Sequence, residues 1–187
     1  MSERKYTRIG LIYGIGGSNA LHWQTWLAKK CRKLGIETHY PELPHKDHPV
    51  LEEWLLALEK EMPVIDEKTA LVGHSLGCPA ILHLLERKYI ESVGLLVLVA
   101  PPTISIIRAG DYSFLLPFYE NYNIDVIRAK AKRIELFASD DDIWSEFGEI
   151  KGRAGELGAN LHVVSGGWHL NVASGHRKFP EILELVK

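Results

Sequence analysis

The chain has 187 residues with a formal net charge of −2, 46% hydrophobic and 25% charged residues, and two cysteines. That is the mix of one globular domain with a sizeable core, expected over residues 1–187. It excludes the charge footprint of a nucleic-acid or anionic-membrane binder and the disulfide framework of a small secreted protein. No apolar run reaches the ~18 residues of a membrane-spanning helix and the polar start Met1-Ser2-Glu3-Arg4-Lys5 does not read as a signal peptide, so a cytoplasmic location is expected.

Residues 9–13 form a short apolar run, the pattern of a parallel strand buried on both faces. Gly14-Ile15-Gly16-Gly17-Ser18 follows, where glycines let backbone N–H groups approach a ligand. A dinucleotide loop would need a glycine where Asn19 stands; the alternative is an oxyanion loop in which the Ile15 N–H works with that of Leu76. A helix is predicted from His22 to about Leu34, with Trp23 and Trp26 packing on the sheet and Gly35 closing it. Residues 37–40 read as a second strand. The 41–49 loop holds His45 and His48 beside Asp47, but with no further ligands at metal-site spacing no metal site is assigned. Residues 51–62 are amphipathic at helical period and stop at Pro63.

Residues 70–72 end a buried strand and 76–87 recur at helical spacing, so Gly73-His74-Ser75-Leu76-Gly77 lies between strand and helix. It matches the G-x-S-x-G nucleophile elbow, whose sharp turn raises the serine hydroxyl above the sheet edge. The helix start behind Ser75 offers free N–H groups to an oxyanion. Residues 93–100 are the strongest strand and Pro101-Pro102 ends it. Residues 103–123 are the least regular stretch, rich in aromatics and too short for a cap domain. A short helix over 125–131 and a strand over 133–138 lead to Ser139-Asp140-Asp141-Asp142. A helix over 147–157, a strand over 161–164, the loop Ser165-Gly166-Gly167-Trp168-His169 and a helix over 180–186 complete the chain.

Alternating strands and helices with short links predict an α/β fold with a mostly parallel sheet, helices on both faces and binding groups at the carboxyl strand ends. Serine needs a base within hydrogen-bond reach, and the base needs a carboxylate to hold its tautomer. Ser75, the acidic run 140–142 and His169 occur in the nucleophile–acid–histidine order of α/β-hydrolases. His162 and His176 lack a placement at a strand end; His74 reads as a pocket or structural residue. With Trp168 and aromatics of residues 114–122 it is expected to line a shallow pocket favouring acetyl to butyryl esters.

The pieces Gly14-Ile15-Gly16-Gly17-Ser18, His22-Trp23-Gln24, Val72 to Cys78, Leu96 to Pro102, Ala138 to Asp142 and Gly167-Trp168-His169 give the chain, over nearly its whole length, a resemblance to the retinoblastoma-binding protein nine / YdeN-like family of small serine hydrolases. The resemblance implies a single-domain α/β-hydrolase fold without a cap domain, and a Ser–Asp–His triad without metal or cofactor. It also implies activity on small esters or peptide-like substrates. Family acid loops commonly run Asp-Pro; here Ile143 takes the proline's place, which favours Asp142 over Asp141 and leaves Asp140 third. The Leu-x-Cys-x-Glu segment of the vertebrate namesake has only Leu76-Gly77-Cys78-Pro79-Ala80 as counterpart, so retinoblastoma-protein binding is not carried over. An acyltransferase with the same triad and a non-catalytic binding protein are the alternatives to a carboxylesterase-like hydrolase.

Overall fold

In the computed structural model, which describes residues 5–17 and 20–187, strands and helices alternate from end to end. Ser18 and Asn19 of the glycine loop, and residues 1–4, lie outside the described residues. In chain order the elements are β1 (Arg8–Ile12), α1 (Trp23–Lys33), β2 (Glu37–His39), α2 (Leu51–Glu61), β3 (Thr69–His74), α3 (Gly77–Leu85) and β4 (Leu95–Val99). There follow α4 (Ile104–Ala109), α5 (Leu116–Tyr119), α6 (Ile124–Lys130), β5 (Ile134–Ser139), α7 (Phe147–Leu157), β6 (Asn160–Val164) and α8 (Pro180–Val186).

The strands form one parallel sheet in the order β2-β1-β3-β4-β5-β6. From β1 the chain turns outward to β2, and from β3 it turns the opposite way to β4. The crevice at this reversal, beyond the carboxyl ends of β1 and β3, is where ligands bind in open α/β sheets. The glycine loop follows β1 and Ser75 follows β3, so topology alone brings these two stretches together.

Both faces of the sheet are covered, and the strand residues divide between them with period two. Leu71, Leu96, Leu98, Leu136 and Ala138 pack under α2, α3, α6 and α7 through Trp54, Leu58, Ile81, Leu85, Ile127 and Ile150. Ala70, Val72, Val97, Val99 and Phe137 pack under α1 and α8 through Trp23, Leu27, Cys31, Ile182 and Val186. All six residues of β5 are buried. Glu135 occupies the second face there, held by Arg133 Nε at 2.5 Å, Asn160 Nδ2 at 3.0 Å and His162 Nε2 at 2.5 Å. A buried carboxylate with three such partners retains its charge, and they hold it below the usual carboxylate range against the opposing effect of burial.

Two expectations need correction. The fourth strand begins at Leu95 rather than Val93, because Val93 makes a single bridge to Ala131 and the Gly94 N–H turns to Asp66 and Thr69 carbonyls. The stretch after Pro102 is more regular than read. It holds α4, a 3-10 turn at Ser113–Leu115 and α5, with α5 packed on α3 and α4. Helical period is invisible in pieces of three to six residues.

Candidate active site

The turn after β3 carries the strain that its sequence predicts. Ser75 has φ 54° and its N–H donates to Val99 O at 2.9 Å, so the residue is pinned in the left-handed region and α3 starts two residues later. The flanking glycines are steric necessities. A Cβ on Gly73 would stand 2.8 Å from Gly77 O, and one on Gly77 would stand 2.8 Å from Tyr13 O on the neighbouring loop. A Cβ on Gly14 would lie 2.6 Å from Ser75 Cβ, so the glycine loop approaches the serine closely. Among the described residues the N–H groups of Ile15 and Leu76 have no hydrogen-bond partner, and both residues line the cavity that contains Ser75. The Leu76 N–H stands at the positive end of α3.

His169 Nε2 is 2.9 Å from Ser75 Oγ, and His169 Nδ1 is 2.8 Å from Asp142 Oδ2. Asp142 is buried, and its other oxygen accepts the Trp144 N–H at 2.9 Å. Ser145 Oγ, which donates to Pro101 O at 2.8 Å, stands 3.3 Å from the oxygen that faces His169. The two neighbouring aspartates point elsewhere. Asp140 accepts from Ser165 Oγ and Gly166 N, both at 2.9 Å, and Asp141 Oδ1 accepts from Trp168 N at 2.8 Å. These bonds fasten the loop after β5 to the loop after β6.

Two further histidines stand behind His169. His74 is buried, and its Nε2 lies 3.0 Å from the His169 carbonyl oxygen, an acceptor only, so His74 carries its proton on Nε2. Burial, and then the charge His169 can carry, push its pKa well below the histidine range. His22 Nδ1 accepts the Gln24 N–H at 3.2 Å as the N-cap of α1. Its pKa is lowered to about 4, first by burial and then by His169. The three rings follow one another at centroid spacings of 5.0 and 5.1 Å.

The family model for serine hydrolases matches residues 9–187. The chain belongs to that family. It is 29% identical over 185 residues to the putative hydrolase YdeN of Bacillus subtilis (strain 168), covering 96% of this chain and 94% of that protein. It is 27% identical over 188 residues to serine hydrolase RBBP9 of Rattus norvegicus, covering 97% and 94% of the two chains. The crystal structure of the B. subtilis ydeN gene product superposes with a TM-score of 0.84 at 29% identity, covering 96% of each chain. The fold is therefore that of the α/β-hydrolases. In this serine hydrolase Leu76 and Cys78 are buried in the elbow, so the segment compared with Leu-x-Cys-x-Glu offers no exposed docking motif.

Two cavities of the serine hydrolase meet at Ser75 and His169. One, of about 380 Å³, is apolar and walled by Ile107, Tyr112, Phe114, Leu115, Tyr119 and Trp144. The other, of about 400 Å³, is a more polar cleft bordered by Gly14, Gly17, His22, His74 and Asn171. A larger cavity, about 570 Å³, lies at the 42–48 loop with His45 and His48 and reaches neither residue. Among the described residues no group of three or more His, Cys, Asp or Glu side chains is assembled to hold a metal ion.

Of the predicted pocket residues His74 borders the polar cleft, whereas Trp168 does not line either cavity at Ser75 and is 60% exposed. Its N–H is taken by Asp141, and the turn that aims His169 inward has φ 51° at Trp168 and leaves that side chain outside. The tryptophan that does line the apolar cavity is Trp144, two residues after Asp142. Sequence reasoning missed it, together with Asn171, which borders both cavities. The available signal was adjacency: each lies two residues from Asp142 or His169.

Proposed function

We propose that the protein hydrolyses small carboxylic esters through an acyl-enzyme, with Ser75 as nucleophile, His169 as general base and acid, and Asp142 as the carboxylate that holds the imidazole. The observation that carries this reading is the unbroken line from Ser75 Oγ to His169 Nε2 at 2.9 Å and from His169 Nδ1 to Asp142 Oδ2 at 2.8 Å. His169 Nε2 takes the Ser75 proton as Oγ attacks the ester carbonyl carbon. The carbonyl oxygen gains the negative charge and receives hydrogen bonds from the Ile15 and Leu76 N–H groups. Collapse of that intermediate breaks the carbon–alkoxy bond, and His169 hands its proton to the departing alcohol. A water, deprotonated by His169, then attacks the acyl carbon, and the acid leaves as Oγ regains its proton. No metal or redox cofactor is needed for this sequence of proton transfers.

A fluorophosphonate probe tests the reading. The wild type is expected to be labelled and to turn over p-nitrophenyl esters. Ser75→Ala should lose the label and at least roughly 10³-fold in turnover, since triad members act as a unit. Labelling that persists in Ser75→Ala overturns the assignment.

A further inference from the structure

One side chain is shared by the apolar cavity and its neighbour. Beyond the 380 Å³ cavity lies a second of about 230 Å³, bordered by Tyr122, Ile150, Arg153 and Glu156, which does not include Ser75. Pro102 and Ile107 line the first and Pro101 and Ile104 line the second, so the segment 101–107 runs along the boundary. Among the described residues Tyr119 is the one that borders both. Its side chain is buried, and among the described residues its hydroxyl has no hydrogen-bond partner. A buried phenol left unpaired costs stability, which an apolar residue of similar shape would avoid. What Tyr119 contributes to the boundary is the bulk of its ring and not a hydrogen bond to the protein.

We propose that Tyr119 is the specificity-determining residue of this hydrolase: it closes the far end of the acyl pocket and sets the longest acyl chain accepted. This inference rests on the serine-hydrolase reading of Ser75. The assignment of the apolar cavity to the acyl half follows from the order of events. The alcohol must leave and water must enter while the acyl group stays on Ser75, which suits the polar cleft for traffic and the apolar cavity for retention. At about 30 Å³ per water-sized group, the apolar cavity has room for a chain of roughly eight carbons beside the reacting atoms. That is longer than the acetyl to butyryl range expected from the sequence. Each methylene withdrawn from water is worth roughly fourfold in kcat/KM, so selectivity should climb with length and break off where Tyr119 stands.

The test is kcat/KM for p-nitrophenyl esters from acetyl to hexadecanoyl, measured for wild type, Tyr119→Phe, Tyr119→Leu and Tyr119→Ala. Wild type should peak between butyryl and octanoyl, and Tyr119→Phe should peak at the same length because the ring remains. Tyr119→Ala should raise the dodecanoyl-to-butyryl ratio by roughly tenfold or more, the gain of a few added methylenes, with Tyr119→Leu in between. Tyr119→Leu keeps apolar volume in the wall and carries the test if the alanine variant does not fold. A folded, fluorophosphonate-labelled Tyr119→Ala or Tyr119→Leu with the wild-type ratio overturns the proposal, as does a wild type that already peaks at dodecanoyl or longer. Failure of wild type to label or to cleave any ester would instead sink the hydrolase reading, which keeps the two outcomes apart.

Discussion

Asp140, Asp141 and Asp142 stand side by side in the sequence and meet three different partners. Asp140 is exposed and caps the turn at Ser165 and Gly166, Asp141 takes the Trp168 N–H, and Asp142 is buried against His169. Isosteric replacement separates these jobs. Asp142→Asn is expected to fold normally and lose up to roughly 10⁴ in turnover, because an amide opposite Nδ1 favours the wrong imidazole tautomer. Asp141→Asn should retain most turnover and lower the melting temperature, since it weakens a charge-assisted bond between two loops. Turnover and thermal melts of each single variant check this; a folded, inactive Asp141→Asn beside an active Asp142→Asn would reverse the assignment.

At the scale of the element, α3 and the turn before it admit little substitution. The backbone of Ile12 and Tyr13 occupies the space a side chain at Gly77 would need, and neither strand nor helix can retreat without moving Ser75. Gly77→Ala should therefore destabilise by about 1–3 kcal/mol, the range for overpacking, and cut turnover as Ser75 shifts from His169. Gly152 and Gly155 of α7 behave oppositely. Gly155 is exposed in the last turn of the helix with nothing within 4 Å of an added Cβ, so Gly155→Ala should stabilise by up to about 1 kcal/mol through helix propensity. Denaturant midpoints of the two variants, moving in opposite directions, test whether these glycines are steric or incidental.

For the molecule as a whole, buried histidines tie stability to pH. Burial holds His22, His74 and His83 below the usual value, His22 at about 4. Below about pH 6.5 the unfolded chain binds protons on these rings that the native protein refuses, so stability falls as pH falls. For His22 alone the loss reaches about 3 kcal/mol by pH 4. The carboxylates with lowered pKa, among them Glu135 and Asp66, add to the loss in the same direction but only below their unfolded values near 4. The interval from pH 6.5 to 5 therefore reports the histidines. The melting temperature should drop across it, and His22→Asn, which can still cap α1, should flatten the drop. An unchanged slope in that variant would show that His22 titrates normally.

Strand and helix identity was legible in the sequence wherever an element was long enough to show its period. The helices over 147–157 and 180–186 match residue for residue, because glycine or proline marks an end of each. The elbow was legible too, since its steric demands restrict the residue types that fit. The short helices between β4 and α6, the buried charge of Glu135 and the outward turn of Trp168 were not, because each depends on atoms distant in sequence. The same holds for Tyr119, and Asp142 was favoured only through the family resemblance. Spacing along a loop does not say which carboxylate meets His169, and nothing local distinguishes the phenol that divides two cavities from the other aromatics around it. Local chemistry sets what each residue can do, but which partner it meets depends on a sheet order that reverses between β1 and β3, and only the packed chain decides that.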